Sequence, residues 1–481
     1  MHMIDDLRGF IDECERKGVL KKIKVEVDWN LELSHISKLN EAKGGGKALL
    51  FENVKGYKDV SVLSSALTTE KRLAIALGMP DQYKLIQLAD EWVRLTSRAK
   101  VPPQEVSEGP ILENVAEGDK VDLFSLPSPR FAPLDGGRYI GTAVCLVTKD
   151  ADTGWTNIGT YRMQLIDKNR SAIQIHHGKH ADLMLDRYRA LKQRMPAAAI
   201  IGGAPVLFLL ASTTAPWGVS EYDLAGTLRG APIEVIKSDV TGLLIPAAAE
   251  IVLEGEISPD RSTYVQEGPF GEYTGYYSAK EGKEYLEPVL QVKRVLHRNR
   301  PIFWITTTGQ PITDIHMFGA LQITASIWSD LRDMRIPGIE SVYCLPEGCG
   351  RLTVVVSVKQ RYPGHSTQVG HAIAGSTSGH YRLKNIIIVD DDIPADDIQK
   401  VLWAISARLE AKRGVHVLLG TRGGPLDPAV YIEERDVGSK LILDATIPFH
   451  WDRKPLLTRM DEETINKVKK RWAEYGLGDG C

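Results

Sequence analysis

Cysteine is sparse in this chain: Cys14, Cys145, Cys344, Cys349 and Cys481 are scattered and odd in number. That excludes a disulfide framework and fits a reducing compartment. Cys344 and Cys349 flank a turn, but two thiols without histidine partners do not make a zinc site, so all five read as structural. Long apolar runs are also missing. The longest, Ala197 to Ile201 and Val206 to Ala211, fall far short of the ~20 residues that span a bilayer. The opening MHMIDDLRGFIDECERKG patterns as an acidic amphipathic helix, not a signal peptide, so the expected location is cytoplasmic. Charge of one sign is absent too. With 59 basic and 62 acidic residues the formal net charge is −3, and no dense Lys/Arg block offers nucleic acid an electrostatic footprint. There is no Walker A motif and no GxGxxG between a strand and a helix, and LLGTRGGPLD at 418–427 matches neither. GxSxG and HExxH are lacking as well. Simple hydrolase and dehydrogenase readings therefore have no support, and other small-molecule chemistry remains.

What is present is enough chain for two or three domains: 481 residues, 43% apolar and 25% charged, an ordinary globular composition. Residues 4–18 read as a helix, Leu20 to Val27 and Lys47 to Glu52 as strands, and Glu70 to Gly78 and Tyr83 to Arg98 as helices, so 1–110 is expected to be an α/β region. VPPQEVSEGP at 101–110 has the character of a linker or an extended crossing segment. From 111 to 311 the texture changes to short β-like runs between Gly, Pro and Asp: TAVCLVT, RMQLI, AIQI, APVLFLLAS, PIEVIKS, AEIVLEGEI and LEPVLQVKRVL. Such a series suggests a barrel or sandwich. Ile312 to Met334 has the longest helical pattern and reads as a connector. Over 335–455 strands at Leu352–Lys359, Asn385–Val389 and Val415–Leu419 alternate with helices at His365–Ser376 and Ala395–Leu409, the pattern of an α/β sheet. The tail, 456–481, carries a charged amphipathic helix suited to docking on a neighbour.

Four stretches bear chemistry. EGPFGEYTGYY, Glu267 to Tyr277, holds two acids with Gly-Pro-Phe-Gly between them. Proline and glycine exclude a regular helix, and acids set among aromatics lose solvation, which raises their pKa and makes a proton donor. A solvated surface turn would carry the same letters. TNIGTYRMQL places Asn157 and Arg162 across a glycine, and the Arg162 guanidinium is suited to a bidentate carboxylate pair, structural or catalytic. IQIHHGKH contributes His176, His177 and His180. If the adjacent histidines lie on a strand, at most one of His176 and His177 enters a given site. Glu221 in WGVSEYDLAGTLRG follows a serine cap at a helix start. One amide oxygen, one imidazole and one carboxylate suit Mn²⁺ or Mg²⁺ better than zinc.

Taken together, Asn157-Ile-Gly-Thr-Tyr-Arg162, His176-His177, Ser220-Glu221-Tyr222, Ile245 to Gly255, Glu267-Gly-Pro-Phe-Gly-Glu272, Lys384 before IIIVDDD, and Gly438-Ser-Lys440 with LDAT resemble the UbiD family of reversible decarboxylases that use prenylated FMN. The resemblance runs over nearly the whole chain in motif order. It implies a mixed α+β fold: an N-terminal α/β region, a split β-barrel flavin domain, and a C-terminal α/β oligomerisation domain joined by a long helix. It implies a divalent metal, Mn²⁺ or Mg²⁺, held by Asn157, His177 and Glu221 and bridging to the flavin phosphate, with K⁺ nearby. His177 rather than His176 follows from motif position. Ile158, Thr160 and Lys384 are implied as further cofactor contacts, Lys384 at the phosphate.

The same resemblance implies a catalytic network of Arg162, Glu267 and Glu272. Decarboxylation at an sp² carbon leaves a carbanion too unstable without an electron sink. The modified flavin would bond covalently to the substrate and take up that density, and Glu272 would then protonate the carbon while Arg162 and Glu267 tune it. Run backward with abundant CO₂, the reaction is a carboxylation. His176 and His316 are candidate substrate contacts, pointing to an aromatic or heteroaromatic acid such as a hydroxybenzoate or a furan acid, with an acrylic acid as the alternative. The implied partners are a UbiX-type flavin prenyltransferase and further copies of the chain, as homodimer or homohexamer. A non-catalytic assembly subunit of a multi-component carboxylase would not require the Arg-Glu-Glu trio, and a flavin redox protein would need a pyridine-nucleotide site that is not visible.

Overall fold

The computed structural model describes residues 4–213, 215–277, 285–431, 434–458 and 460–476; Cys481 lies outside them. The first helix, Leu7–Arg16, starts at Asp6, whose carboxylate accepts a hydrogen bond from the Gly9 amide at 2.8 Å, and it buries Leu7, Phe10, Ile11 and Cys14 at helical spacing. It packs against a four-stranded sheet in the order Leu20–Ile23, Ala48–Phe51, Ser61–Ser64, Ile302–Trp304. The last strand comes from far along the chain and pairs parallel to Ser61–Ser64, Ile302 with Ser61 and Trp304 with Leu63. The chain therefore leaves the central region, completes the N-terminal sheet, and only then enters the long helix.

The central region is a curled antiparallel half-barrel of nine strands. Along its path run Tyr139–Gly141, Met163–Leu165, Arg170–Ile173, Val289–His297, Ile251–Ile257, Met195–Ile201, Val144–Lys149 and Thr156–Gly159, with Asn114–Glu117 paired to Val289–His297. Short apolar runs between breakers set most of these strands, several of which are buried over nearly their whole length. The exception is APVLFLLAS, expected as a strand, which is a helix, Pro205–Ala211, with all seven residues buried. An apolar run that is buried all round has no periodicity to tell strand from helix, and Pro205 sits at the first helical position, where its missing N–H costs nothing. VPPQEVSEGP takes the extended form of its two expected readings, since Gln104–Glu105 pairs parallel with Glu234–Val235.

The long helix spans Asp314–Asp333, twenty residues, and packs on helix Leu85–Thr96 and strand Ile339–Cys344. Trp304, Phe208 and Phe318 stack where the N-terminal sheet, the barrel helix and the long helix meet, with ring centres 4.8 and 5.3 Å apart. Beyond it lies a mixed five-stranded sheet in the order Ile339–Cys344, Thr353–Val358, Asn385–Asp390, Val437–Ala445, Val415–Arg422. Helices His365–Gly375 and Ile398–Arg408 cover it, so the expected α/β alternation stands. The tail helix Glu462–Lys470 buries none of its residues against its own chain. Among the described residues no helix is long and apolar enough to cross a membrane.

Candidate active site

Arg162 is the node of the site. It leaves the half-barrel just before strand Met163–Leu165, and its carbonyl accepts from the Gln174 amide at 2.9 Å, fixing the backbone against the next strand. Its guanidinium forks onto Glu267, with Nε to Oε1 and Nη2 to Oε2 both 2.8 Å, and its Nη1 donates to Glu272. Both carboxylates are buried, Glu267 at 2% exposure and Glu272 at 7%. The sequence expectation of a shaped loop is met in detail. Glu267 ends strand Val265–Glu267, after which the chain turns through Gly268 at φ +86°. Phe270 then lies under the Arg162 guanidinium at 4.5 Å and against Tyr139 at 4.3 Å. The loop is tied down by Gln164, which accepts from the Gly268 amide at 2.8 Å, by Asp135, which accepts from the Gly271 amide at 3.1 Å, and by Thr308, which donates to the Gly271 carbonyl at 2.6 Å. At Gly136 a Cβ would stand 2.0 Å from the Gly268 carbonyl oxygen, so only glycine lets the two segments meet.

Electrostatics follows from this packing. Burial raises the Glu272 carboxyl pKa, and Arg162 only partly offsets it. Burial opposes the Arg162 charge, yet Glu272 and Glu267 outweigh it and hold the guanidinium protonated. A third acid, Glu287 on strand Tyr285–Glu287, accepts from the Ile175 amide at 3.2 Å; burial pushes its pKa up to about 8, with the Glu267 charge adding to the rise. The site thus offers a cation gripped by the Glu267 side chain and a second carboxyl, Glu272, whose hold on a proton burial strengthens.

A second group forms where strand Thr156–Gly159 meets two helix starts. Asn157 is 2% exposed, and its Oδ1 lies 2.9 Å from His180 Nδ1. Glu221, the first residue of helix Glu221–Arg229, is also 2% exposed and accepts from the Ile158 amide at 2.7 Å. Burial pushes the Glu221 carboxyl up to about 7 and holds the His180 imidazole below its usual pKa, hence neutral. His177, expected in this group, is elsewhere. Its side chain is 94% exposed and its Nδ1 pairs with Asp182 at 3.0 Å. The reason is local: strand Arg170–Ile173 ends before the histidines, which lie in a turn through Gly178, so strand alternation does not govern them. His180 instead opens helix His180–Leu191. Its apolar set Ala181, Met184, Leu185 and Tyr188 is the helical spacing that would have placed it.

His316, expected near substrate, has both ring nitrogens committed. Nδ1 accepts from the Thr313 amide at 2.9 Å at the start of the long helix, and Nε2 donates to the Tyr273 carbonyl at 2.7 Å. It is fully buried, its pKa lowered to about 4 by that burial. It is therefore a brace between the long helix and the residue after Glu272, and it has no donor left for substrate. Lys384 Nζ is paired with Asp427 at 2.8 Å, so reaching a phosphate requires exchanging that partner. Thr160 donates its amide to the Ala211 carbonyl at 3.1 Å, joining strand to buried helix. His176 is half-buried, and burial together with Arg382 and Arg162 pulls its pKa down to about 3.

Three family descriptions match the chain in order: the 3-octaprenyl-4-hydroxybenzoate carboxy-lyase N-terminal domain over residues 11–92, its Rift-related domain over 104–311, and its C-terminal domain over 316–445. An uncharacterised protein of Aquifex aeolicus is 33% identical over 98% of this chain and 99% of its own length. The chain belongs to the UbiD family. It is accordingly a carboxy-lyase. Among solved UbiD-class structures it is similar to the vanillic acid decarboxylase of Sedimentibacter hydroxybenzoicus in closed form, with a TM-score of 0.86, 29% identity and full coverage of both chains. It is equally similar to HmfF of Pelotomaculum thermopropionicum in complex with FMN, with a TM-score of 0.86, 29% identity, and 98% of this chain and 100% of that one covered. An evolved dimeric form of HmfF in complex with prenylated FMN matches at a TM-score of 0.80 and 27% identity, covering 96% and 99%.

Sequence reasoning passed over several cations of this UbiD chain that act electrostatically on His176, Glu272 and Tyr273. Lys179, Arg351 and Arg382 come from a turn, a loop and the approach to a strand, and carry no periodic signal. They become visible only when the C-terminal sheet is set against the half-barrel.

Proposed function

We propose that this UbiD-family chain is a reversible, non-oxidative decarboxylase of aromatic or heteroaromatic carboxylic acids that works with prenylated FMN. The observation that carries the reading is the Arg162 guanidinium bridging Glu267 and Glu272 in a buried, aromatic-walled site. The similarity to decarboxylases of aromatic acids and to a protein bound to prenylated FMN supports it.

Asn157, His180 and Glu221 are the residues proposed to hold the divalent metal, Mn²⁺ or Mg²⁺, with K⁺ beside it. The donor set fits. A buried carboxyl whose ionisation is opposed by desolvation, a neutral imidazole and an amide oxygen are all relieved by a hard cation that tolerates oxygen and nitrogen. His180 takes the place expected of His177. The prenylated flavin, when bound, supplies the electron sink that makes loss of CO₂ from an sp² carbon feasible.

The rest is the work of the chain's own residues. Phe270, Tyr139 and Phe131 form an edge-packed aromatic wall that excludes water. Arg162 holds Glu272 in place and orients the substrate carboxylate by its charge. As the carbon–CO₂ bond breaks, the electron pair stays with the carbon and CO₂ departs. Glu272 transfers its proton to that carbon and is later reprotonated from solvent. Glu267 keeps the guanidinium fixed throughout.

The test is a screen of aryl, heteroaryl and acrylic acids with protein co-expressed with a UbiX-type flavin prenyltransferase and handled anaerobically. Release of CO₂ from aryl or heteroaryl acids is expected. A flavin-loaded protein inert toward every acid would overturn the reading, and turnover of acrylic acids alone would overturn the substrate class.

A further inference from the structure

Glu272 stands between two clamped carbonyls. On one side the Thr308 hydroxyl donates to the Gly271 carbonyl at 2.6 Å, and on the other His316 Nε2 donates to the Tyr273 carbonyl at 2.7 Å. Neither clamp belongs to the loop that carries Glu272, and each lies within two residues of a group gripped by the N-terminal region. Thr307, next to Thr308, has its Oγ1 2.7 Å from both carboxylate oxygens of Glu41. Asp314, two residues before His316, opens the long helix, and its Oδ1 accepts from the Leu67 amide at 2.7 Å. Leu67 lies three residues beyond strand Ser61–Ser64 of the N-terminal sheet.

Glu41 ends helix Glu32–Glu41 and is 2% exposed, and the Ser65 hydroxyl donates to its Oε1 at 2.8 Å. Lys38, three residues earlier and so on the same helix face, brings its Nζ within 3.3 Å of a Cβ built on Gly309. The helix therefore lies along residues 307–309, which carry the first clamp. Asp314 is fully buried, and its Oδ2 has no hydrogen-bond partner among the described residues. Burial raises the pKa of both acids, and the Asp314 charge raises Glu41 further, so the pair favours holding a proton. The facing cations do not cancel this. Arg72, from helix Glu70–Ala76, donates its nitrogens to the carbonyls of Ala66, Gly45 and Gly46. Lys38 faces Asp135 as well as Glu41, and burial works against its charge. Apolar residues of the same volume would fasten these elements without the cost of burying two acids. Packing alone therefore does not account for the pair.

We infer that Glu41 and Asp314 are positioning residues for the reaction: from the N-terminal region and the start of the long helix they hold Thr308 and His316 in place, and through the two clamped carbonyls they set where Glu272 stands against the substrate carbon. The inference rests on the decarboxylase reading above, in which Glu272 gives the proton. The effect is carried by the backbone. A shift of Thr307 takes Thr308 with it and draws on the Gly271 carbonyl, and a tilt of the helix turn at Asp314 takes His316 with it and draws on the Tyr273 carbonyl. Glu272 lies between the two and follows either. Glu267 is held separately, on strand Val265–Glu267 paired with Tyr285–Glu287, so the fork onto Arg162 stays while Glu272 moves. Glutamine at position 41 keeps the length of the side chain and an oxygen that accepts from Thr307. Alanine removes both.

The holoenzyme, co-expressed with the prenyltransferase, is compared with Glu41→Ala, Glu41→Gln and Asp314→Ala by two measurements. One is steady-state kinetics on an aromatic acid that the unaltered enzyme decarboxylates. The other is hydrogen–deuterium exchange of peptides covering 265–277, with peptides of the C-terminal sheet as the control. Glu41→Ala and Asp314→Ala are each expected to lower kcat about tenfold or more with KM within about twofold, and to speed exchange across 268–275 while the C-terminal sheet is unchanged. Glu41→Gln should recover most of both losses. Faster exchange confined to the N-terminal region, with kcat unchanged, would overturn the inference and leave the decarboxylase reading intact. A glutamine variant as impaired as the alanine variant would overturn it as well. If the unaltered enzyme turns over no acid, the decarboxylase reading fails by itself. Exchange then decides whether the pair positions Glu272: faster exchange across 268–275 in both alanine variants upholds it, and unchanged exchange there overturns it. Should Glu41→Ala not fold, Thr307→Val, which removes the hydroxyl that Glu41 holds, carries the same test with the same two outcomes.

Discussion

At the scale of single residues the account turns on a fork. Arg162 meets Glu267 through two parallel bonds and still has a nitrogen for Glu272, which lysine cannot do with its single ammonium. Arg162→Lys is therefore expected to keep the fold but lower kcat/KM by about two orders of magnitude, as measured by steady-state kinetics with flavin content as the control. Arg162→Ala strands two buried carboxylates and is expected to destabilise the protein by about 3–5 kcal/mol, readable in denaturant melts. Glu287 gives a pH prediction. Its folded pKa of about 8 is raised above the ordinary glutamate value, so its contribution to stability is fully present below that ordinary value and is lost as pH rises through about 8. The loss is at most about 1.4 kcal/mol per pH unit, and Glu287→Gln should flatten the fall in thermal stability between pH 5 and 8. An equal slope in the variant would show that another group titrates.

At the scale of elements, legibility in the sequence follows what each element buries. The half-barrel strands showed through as short apolar runs bounded by glycine, proline and aspartate, and the long helix through its repeated apolar face. Pro205–Ala211 did not, since a segment buried on every side has no period to read. The acidic loop was legible as a shaped, non-helical turn from its glycines and proline, and the resemblance assigned its roles. His177 rested on motif position, and its side chain is exposed: the strand before the histidines stops at Ile173, and His180, in the first turn of the following helix, is the histidine beside Asn157. His316 shows the opposite failure: its position was legible, but only packing reveals that both nitrogens are spent. Gly136 makes the loop's dependence on a neighbouring segment testable. Gly136→Ala pushes a methyl into the Gly268 carbonyl and should displace Glu267 and Glu272 together. A loss of activity by about tenfold or more is expected with a smaller change in melting temperature, checked by parallel kinetics and melts.

At the scale of the whole molecule, the half-barrel and the C-terminal sheet each bring part of the cleft, and the surfaces turned away from it are open. Val415–Arg422 is an edge strand of the five-stranded sheet, and Val417, Leu419 and Val437 beside it are 57%, 81% and 60% exposed. An apolar sheet edge of this kind invites another chain. Leu419→Lys together with Val417→Lys is expected to lower the oligomeric state in analytical ultracentrifugation, and an unchanged sedimentation profile would place the contact elsewhere. The central claim, that Glu272 delivers the proton to the carbon that loses CO₂, is tested most directly by isotope exchange. Purified Glu272→Gln carrying prenylated flavin is incubated with the decarboxylated product in D₂O beside the unaltered enzyme. The account predicts deuterium at the reacting carbon with the unaltered enzyme and none above background with the variant, flavin absorbance being equal in both. Undiminished deuterium incorporation by Glu272→Gln would contradict it.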